Sequence, residues 1–430
     1  MNVSPILALA GLITIGLLAP RLTSLRWPRV PSLDVFVVAG GPLVALGLVL
    51  GPGIDFLDRV ALGALAPATA LAIGWIGAAL GARFEWRYLR RIPRDAWLVA
   101  ALSALATLTA VALIAWLAMR LVPALSAAWA PRLPAILTLG ALAAASGPGV
   151  VALVVRAVGI PSRAARAIAL AAMLETACAV LAMTVPFALH RPGGAALAWL
   201  AWAVLAAGSG ALVGLTFVWL SRLGTLARAK VGFAVLVTLL FGAGIGSAAG
   251  IPPFVTCFLA TALIVNVSAE RRAVRAALVG GERPIYAVLL IVAGALLSVP
   301  TAWILIVAPV LCGVRAVVKW AVVRYGRAPL GIARGSRDMG LATIAQGGAV
   351  VALGVSYALL YGRGGGGALL TTIVLLVAAA QLAAPPLLAL AMRAGSVGPT
   401  SPATSEAAAP LTQTTAPPEF SANVPADWPR

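Results

Sequence analysis

Apolar runs of roughly 18 residues or more, the length that crosses a bilayer, recur along nearly the whole chain. Short segments rich in Arg, Gly and Pro separate them. The pattern predicts transmembrane helices near 4–20, 33–50, 59–82, 96–119, 134–155, 165–189, 195–220, 231–249, 252–267, 284–299, 301–323, 338–361 and 368–392. That gives about 13 spans, of which the ninth and tenth are the shortest. Beyond Ser396 the chain is rich in Pro, Ala, Thr and Ser without apolar periodicity, which predicts a disordered tail. The domain reading is a transmembrane unit over 1–393 and a cytoplasmic tail over 394–430.

Composition agrees with that class. Hydrophobic residues make up 62% of the 430, charged residues only 10%, and the mean hydropathy is +1.04; a soluble domain carries about 25% charged residues. The net charge of +19 raises the question of a nucleic acid partner, but the cations collect in alternate loops. One set holds Arg21, Arg26 and Arg29; Arg83, Arg87, Arg90, Arg91 and Arg94; Arg156, Arg163 and Arg166; Arg222, Arg228 and Lys230; Arg271, Arg272, Arg275 and Arg283; Arg324, Arg327, Arg334 and Arg337; and Arg393. The other holds only Arg59, Arg120, Arg132, Arg191 and Arg363. This is the positive-inside asymmetry. It places the N-terminus outside and the C-terminus in the cytoplasm, and excludes a nucleic acid surface. Met1-Asn2-Val3-Ser4-Pro5 lacks a basic n-region, so the first apolar run is read as a retained span and not a cleaved signal. The preference for arginine over lysine and the abundance of alanine suit a GC-rich bacterial genome, hence an inner membrane.

The charges that fit neither loop set mark the chemistry. Glu175 is an acid in the middle of the sixth run. An ionisable group at that depth costs several kcal/mol on roughly the insertion scales and is usually kept for a substrate, ion or proton pathway. Arg315 and Lys319 lie in the eleventh run, four residues apart and so on one helix face. Arg315 is deep, and a buried charge is tolerated mainly when paired; Glu175 and the carbonyls of a helix end are the available partners. Lys319 lies nearer the cytoplasmic end, where its long stem suits snorkelling to the interface.

Two runs carry helix breakers at their centres. Ser146-Gly147-Pro148-Gly149 interrupts the fifth span, because proline removes a backbone donor and glycine loosens the helix. The result is either a kink or two half-helices whose exposed ends form an ion or substrate site. Gln346-Gly347-Gly348 interrupts the twelfth span, which runs the opposite way; it reads as helix packing or as the second half of an inverted repeat. The fifth span descends and the sixth returns, so Ser146 to Gly149 and Glu175 share one depth. Elsewhere, Cys178, Cys257 and Cys312 lack metal-like spacing and read as free thiols, His190 reads as an interfacial residue, and Gly242-Ala243-Gly244-Ile245-Gly246 reads as close helix packing.

From about residue 28 to 392 the chain resembles the monovalent cation:proton antiporter superfamily, the sodium/proton exchanger fold. The resemblance starts with the early span Leu33 to Gly53 ending in Gly-Pro and with Gly74-Trp75-Ile76-Gly77 through Arg83. It is strongest from Leu139 to Thr176, similar to the family's broken helix, short basic loop and ion-binding helix. Where the family commonly has Thr-Asp-Pro this chain has Ser146-Gly147-Pro148, and where it has Asp-Asp or Asn-Asp this chain has Glu175-Thr176. The Pro-containing span from Arg283, the embedded cation Arg315 and the second crossing at Gln346-Gly347-Gly348 follow in the family's order.

The resemblance implies an all-α membrane protein of inverted repeats with two broken crossing helices, a homodimer, and no enzyme activity. Together with the residues it implies exchange of Na⁺, K⁺ or Li⁺ for protons by alternating access. Glu175, Thr176, Ser146 and freed carbonyls would hold the cation, with Arg315 and Lys319 as counter-charges. One titratable site implies an electroneutral cycle. The expected partners are the cation, protons and membrane lipid; neither a cofactor nor a resident metal is expected. An organic anion as cargo and a non-transporting sensor are the alternatives, because the crossing has lost the usual acid.

Overall fold

The computed structural model describes residues 31–54, 56–57, 59–159, 162–190, 195–222, 231–325, 339–361 and 366–395, with positions 11 and 14. The expected first span, the loop cations beyond these ranges and the tail after 395 lie outside them.

The described residues are helical, with no strand among them. α1 (Pro31–Val38) and α2 (Gly41–Leu48) form a bent pair, turned by 61°. Gly40 makes the corner at φ 97°, a left-handed conformation that suits glycine. A π-helical turn, Val49–Gly53, closes it over Pro52. α3 (Arg59–Ala64) and α4 (Ala66–Gly81) together form the third expected span. α5 (Trp86–Leu89), α6 (Arg94–Leu121) and α7 (Pro123–Ala128) follow. Then come α8 (Arg132–Ala144), α9 (Pro148–Val158), α10 (Ser162–Ala188), α11 (Ala195–Arg222), α12 (Val231–Ala248) and α13 (Pro253–Val267). α14 (Arg271–Ala295), α15 (Trp303–Tyr325), a 3-10 turn at Met339–Thr343, α16 (Gly348–Tyr361) and α17 (Gly366–Gly395) complete the chain.

Among the described residues, seven helices are long and apolar enough to cross a membrane, or nine spans if each bent pair counts as one. α4, α13 and α16 are shorter apolar helices. The tenth expected span, 284–299, is displaced. α14 begins at Arg271 and ends at Ala295, running through Pro284. The arginines read as loop cations are therefore helical. Arg275 donates to Glu85 at 2.6 Å and Arg271 lies 3.7 Å from the same carboxylate, so their charges tie α14 to the turn after α4.

The helices pack as two groups. α4, α11, α12, α13 and α14 form one, with α2 lying along α14. Small residues set its close contacts: a Cβ on Gly77 would strike the Phe254 carbonyl, and one on Gly47 the Ile291 carbonyl. The second group is α6, α8, α9, α10, α15, α16 and α17, with α1 against α17. The buried charges lie in this second group.

Candidate functional site at the crossing of two interrupted helices

The sequence dictates the first break. Pro148 cannot donate to an ongoing helix and disfavours helical geometry at the residue before it. α8 accordingly ends at Ala144, Ala145 turns extended at ψ 144°, and Pro148 opens α9 from Gly147, with 41° between the halves. The second break, 344–347, separates the 3-10 turn from α16. The two breaks touch: Gly147 N donates to Ala345 O at 2.9 Å, and a Cβ on Gly147 would strike Gly347. Glycine at 147 is what allows this approach.

A helix that stops inside an apolar bundle leaves carbonyls without partners, an expensive condition where water is absent. Here side chains cap them. Arg315 donates through Nε to Ala143 O at 2.5 Å and through one terminal nitrogen to Ala145 O at 2.7 Å. It also donates to Thr343 O at 3.2 Å and to Ile344 O, across the second break. Gln346 Nε2 donates to Leu142 O at 2.8 Å, and Lys319 Nζ reaches Ala144 O at 3.3 Å. The partial negative charge of two helix ends therefore faces one guanidinium, a fork suited to several acceptors at once.

Glu175 of α10 faces this cap, 3% exposed. Its Oε1 accepts from Ser103 of α6 at 2.6 Å; its Oε2 accepts from Ser146 at 2.5 Å and from Lys319 Nζ at 2.5 Å. Lys319 also donates to Ser146 Oγ at 2.8 Å. The Ser146 hydrogen has a second acceptor at 2.5 Å, the Thr343 carbonyl. Thr176 turns its hydroxyl to the Ser146 carbonyl and to Ala172 O, pinning the break to α10. Gln381 of α17 donates to Gln346 O at 3.2 Å.

Ser146, Gly147, Glu175, Thr176, Arg315, Lys319, Gln346 and Gly347 thus meet in one place, with Gly149 and Gly348 in the first turns of the returning half-helices. One detail differs from expectation. Lys319 is fully buried and does not snorkel, because its stem lies along the inner face of α15 beside Arg315 and its ammonium meets Glu175. Arg315, for which the carboxylate and the helix-end carbonyls were both open, takes the carbonyls. Ser103, Thr343 and Gln381 escaped the sequence reading. Ser103 and Thr107 sit on the buried stripe Ala100, Ser103, Ala104, Thr107, Val111 of α6, and polar residues on that small-residue stripe were the available signal.

No family profile matches the sequence, and no curated protein matches it. Solved structures do. The sodium proton antiporter MjNhaP1 from Methanocaldococcus jannaschii at pH 8 superposes with a TM-score of 0.64 at 15% identity, over 91% of this chain and 97% of that one. A second structure of the same antiporter, from an electron-microscopy map, gives 0.61 at 16% identity over 92% and 99%. With two interrupted helices crossing in a membrane-embedded bundle, the chain has the cation:proton antiporter fold.

Proposed function

We propose that this protein exchanges a small monovalent cation, Na⁺ or its congeners K⁺ and Li⁺, for protons by alternating access at Glu175. One observation carries the reading. The Lys319 ammonium is held by three oxygens, Glu175 Oε2, Ser146 Oγ and Ala144 O, at 2.5, 2.8 and 3.3 Å. A carboxylate, a hydroxyl and a carbonyl are the oxygen donors that suit a hard metal cation. The lysine thus occupies a cation site with its own charge.

The charge balance follows from this occupancy. A metal cation entering beside Glu175 meets Lys319 in a bundle that screens poorly. If Lys319 releases one proton as the cation binds, the site's net charge is unchanged. Lysine suits that role because burial readily moves its titration, whereas arginine stays protonated. One cation then exchanges for one proton, and the cycle is electroneutral. The group α6, α8, α9, α10, α15, α16 and α17 would carry the site past the group built on α4 and α13.

The excess of two cationic side chains over one carboxylate favours a second reading, an organic anion as cargo. Against it, the Arg315 guanidinium is already committed to four carbonyls. Proteoliposome flux decides. Recovery of a pH-gradient signal on adding Na⁺, Li⁺ or K⁺, lost in Glu175→Gln, supports exchange. Anion uptake without cation-dependent proton movement supports the second reading, and flux of neither kind leaves a non-transporting role.

A further inference from the structure

The connection from α4 to α6 is held from both helix groups. Two side chains of the first group fasten its start: Arg275 Nε donates to Ala82 O at 3.0 Å, Asn266 Nδ2 donates to Phe84 O at 2.8 Å, and Asn266 Oδ1 accepts from Trp86 N at 2.6 Å. Glu85 between them is taken by Arg271 and Arg275. On the side of the second group Phe84, Tyr88 and Ile92, spaced by four, pack against Ala100 of α6 and Met173 and Leu174 of α10.

That packing turns the opposite face outward. Arg87, Arg90 and Arg91 stand at i, i+3 and i+4, the spacing that puts side chains on one face of a helical turn. All three are exposed, and together they line an open cleft of about 490 Å³. Arg94, the first residue of α6, is exposed beside them in the chain. Among the described residues none of the three lining arginines is ion-paired. Asp95 is the one acid from 86 to 100, and Glu85 is spent on α14. Topology asks only for cations somewhere in the loop. It does not ask that three converge on one cleft, where like charges repel until an anion joins them.

The chemistry around the cleft selects the anion. Trp86, an aromatic of the kind found at membrane–water interfaces, is exposed, with the Arg90 guanidinium 5.9 Å from its ring. Below Arg94, α6 exposes Leu98, Leu102 and Leu105, at i, i+4 and i+7 on one side of the helix. From Arg94 to Leu105 the helix rises about 16 Å, close to half of a hydrocarbon core of roughly 30 Å. A soluble phosphate would use the arginines and leave the leucine stripe idle; a phospholipid uses both, the phosphate in the cleft and an acyl chain along α6.

We infer that Arg87, Arg90 and Arg91 form a site for the headgroup of an anionic phospholipid in the leaflet on the arginine-rich face. The bound lipid rests on a connection that the first helix group fastens and the second group packs against, so it touches the junction of the two. Its binding is read without flux, and stands or falls apart from the exchange reading.

The test is the unfolding midpoint of the full chain in detergent as phosphatidylglycerol, phosphatidylcholine of the same chain length, or inorganic phosphate is added. Phosphatidylglycerol is expected to raise the midpoint, and the other two to leave it in place. Arg87→Gln with Arg90→Gln and Arg91→Gln should move the half-maximal phosphatidylglycerol concentration up by roughly 100-fold, about fivefold for each arginine near an anionic surface. Arg156→Gln with Arg222→Gln and Arg324→Gln, three exposed arginines of the same loop set outside the cleft, should respond as the wild type does. Arg87→Lys with Arg90→Lys and Arg91→Lys keeps the charge and is expected to keep most of the response; its loss counts against a headgroup held by charge. Equal effects of phosphatidylglycerol and phosphatidylcholine, an unshifted response in the glutamine variant, or an equal loss in the control variant overturns the site. Stabilisation by inorganic phosphate that vanishes in the glutamine variant overturns the lipid and leaves a soluble anion in its place.

Discussion

Lys319 Nζ lies 2.5 Å from Glu175 Oε2, with the lysine fully buried and the carboxylate 4% exposed. In a bundle that excludes water, removing either charge strands the other at a cost of about 3–5 kcal/mol. Glu175→Gln should therefore lower the unfolding midpoint in detergent and bring cation-dependent proton flux to background. Retained exchange in Glu175→Gln liposomes would remove Glu175 from the mechanism.

Lys319→Arg separates pairing from proton release. A guanidinium keeps the ion pair but does not surrender its proton in proteins. Exchange is expected at background while thermal stability stays closer to wild type than that of Lys319→Met. If Lys319→Arg instead exchanges at the wild-type rate, the proton comes from another group.

The pH dependence has a definite sign. The cation-bound site holds one proton fewer than the free one, so raising pH favours cation binding. Below the titration of Lys319 in the free site, apparent affinity should rise about tenfold per pH unit, the slope for one displaced proton. Transport KM measured from pH 6 to 9 checks it. A flat profile, or a slope of two protons with a current across the membrane, contradicts the one-for-one cycle.

Much of this site was legible because its cause is local. Pro148 stands between two glycines, which together stop the helix where the lone Pro284 of α14 does not, and Glu175 is out of place in any apolar run. The depth of Lys319 was not legible. Its spacing from Arg315 fixes the face it shares but not its depth, and α15 continues six residues further to Tyr325, placing Lys319 about 9 Å inside the helix end. Ser103 was hidden for another reason: a serine among alanines looks like packing until α10 brings a carboxylate to it. The start of α14 was misread because Arg271 and Arg275 carry the charge of a loop. Glu85, 186 residues before Arg271, makes a helical start favourable there, and nothing in the local sequence announces it.

Ser103 donates to the carboxylate oxygen that Lys319 does not touch. Hydrogen bonds to charged groups are worth about 1.5–3 kcal/mol. Ser103→Ala should lower exchange by roughly tenfold or more by that measure, and Ser103→Thr should recover part of it. Unchanged KM and rate in Ser103→Ala would show that Oε1 needs no donor.

Arg315 separates a structural charge from a cargo-binding one. Its guanidinium spans Ala143 and Ala145 on one broken helix and Thr343 and Ile344 on the other. Arg315→Lys keeps the charge but has one nitrogen where four carbonyls need partners. If the residue holds the crossing together, Arg315→Lys and Arg315→Gln should lose thermal stability to a similar degree, because both orphan carbonyls that water cannot reach. If it acts through its charge on the cargo, Arg315→Lys should stay stable and active while Arg315→Gln changes only flux. The buried carbonyls favour the first outcome. Unfolding midpoints of the purified variants, set beside their flux, decide between them.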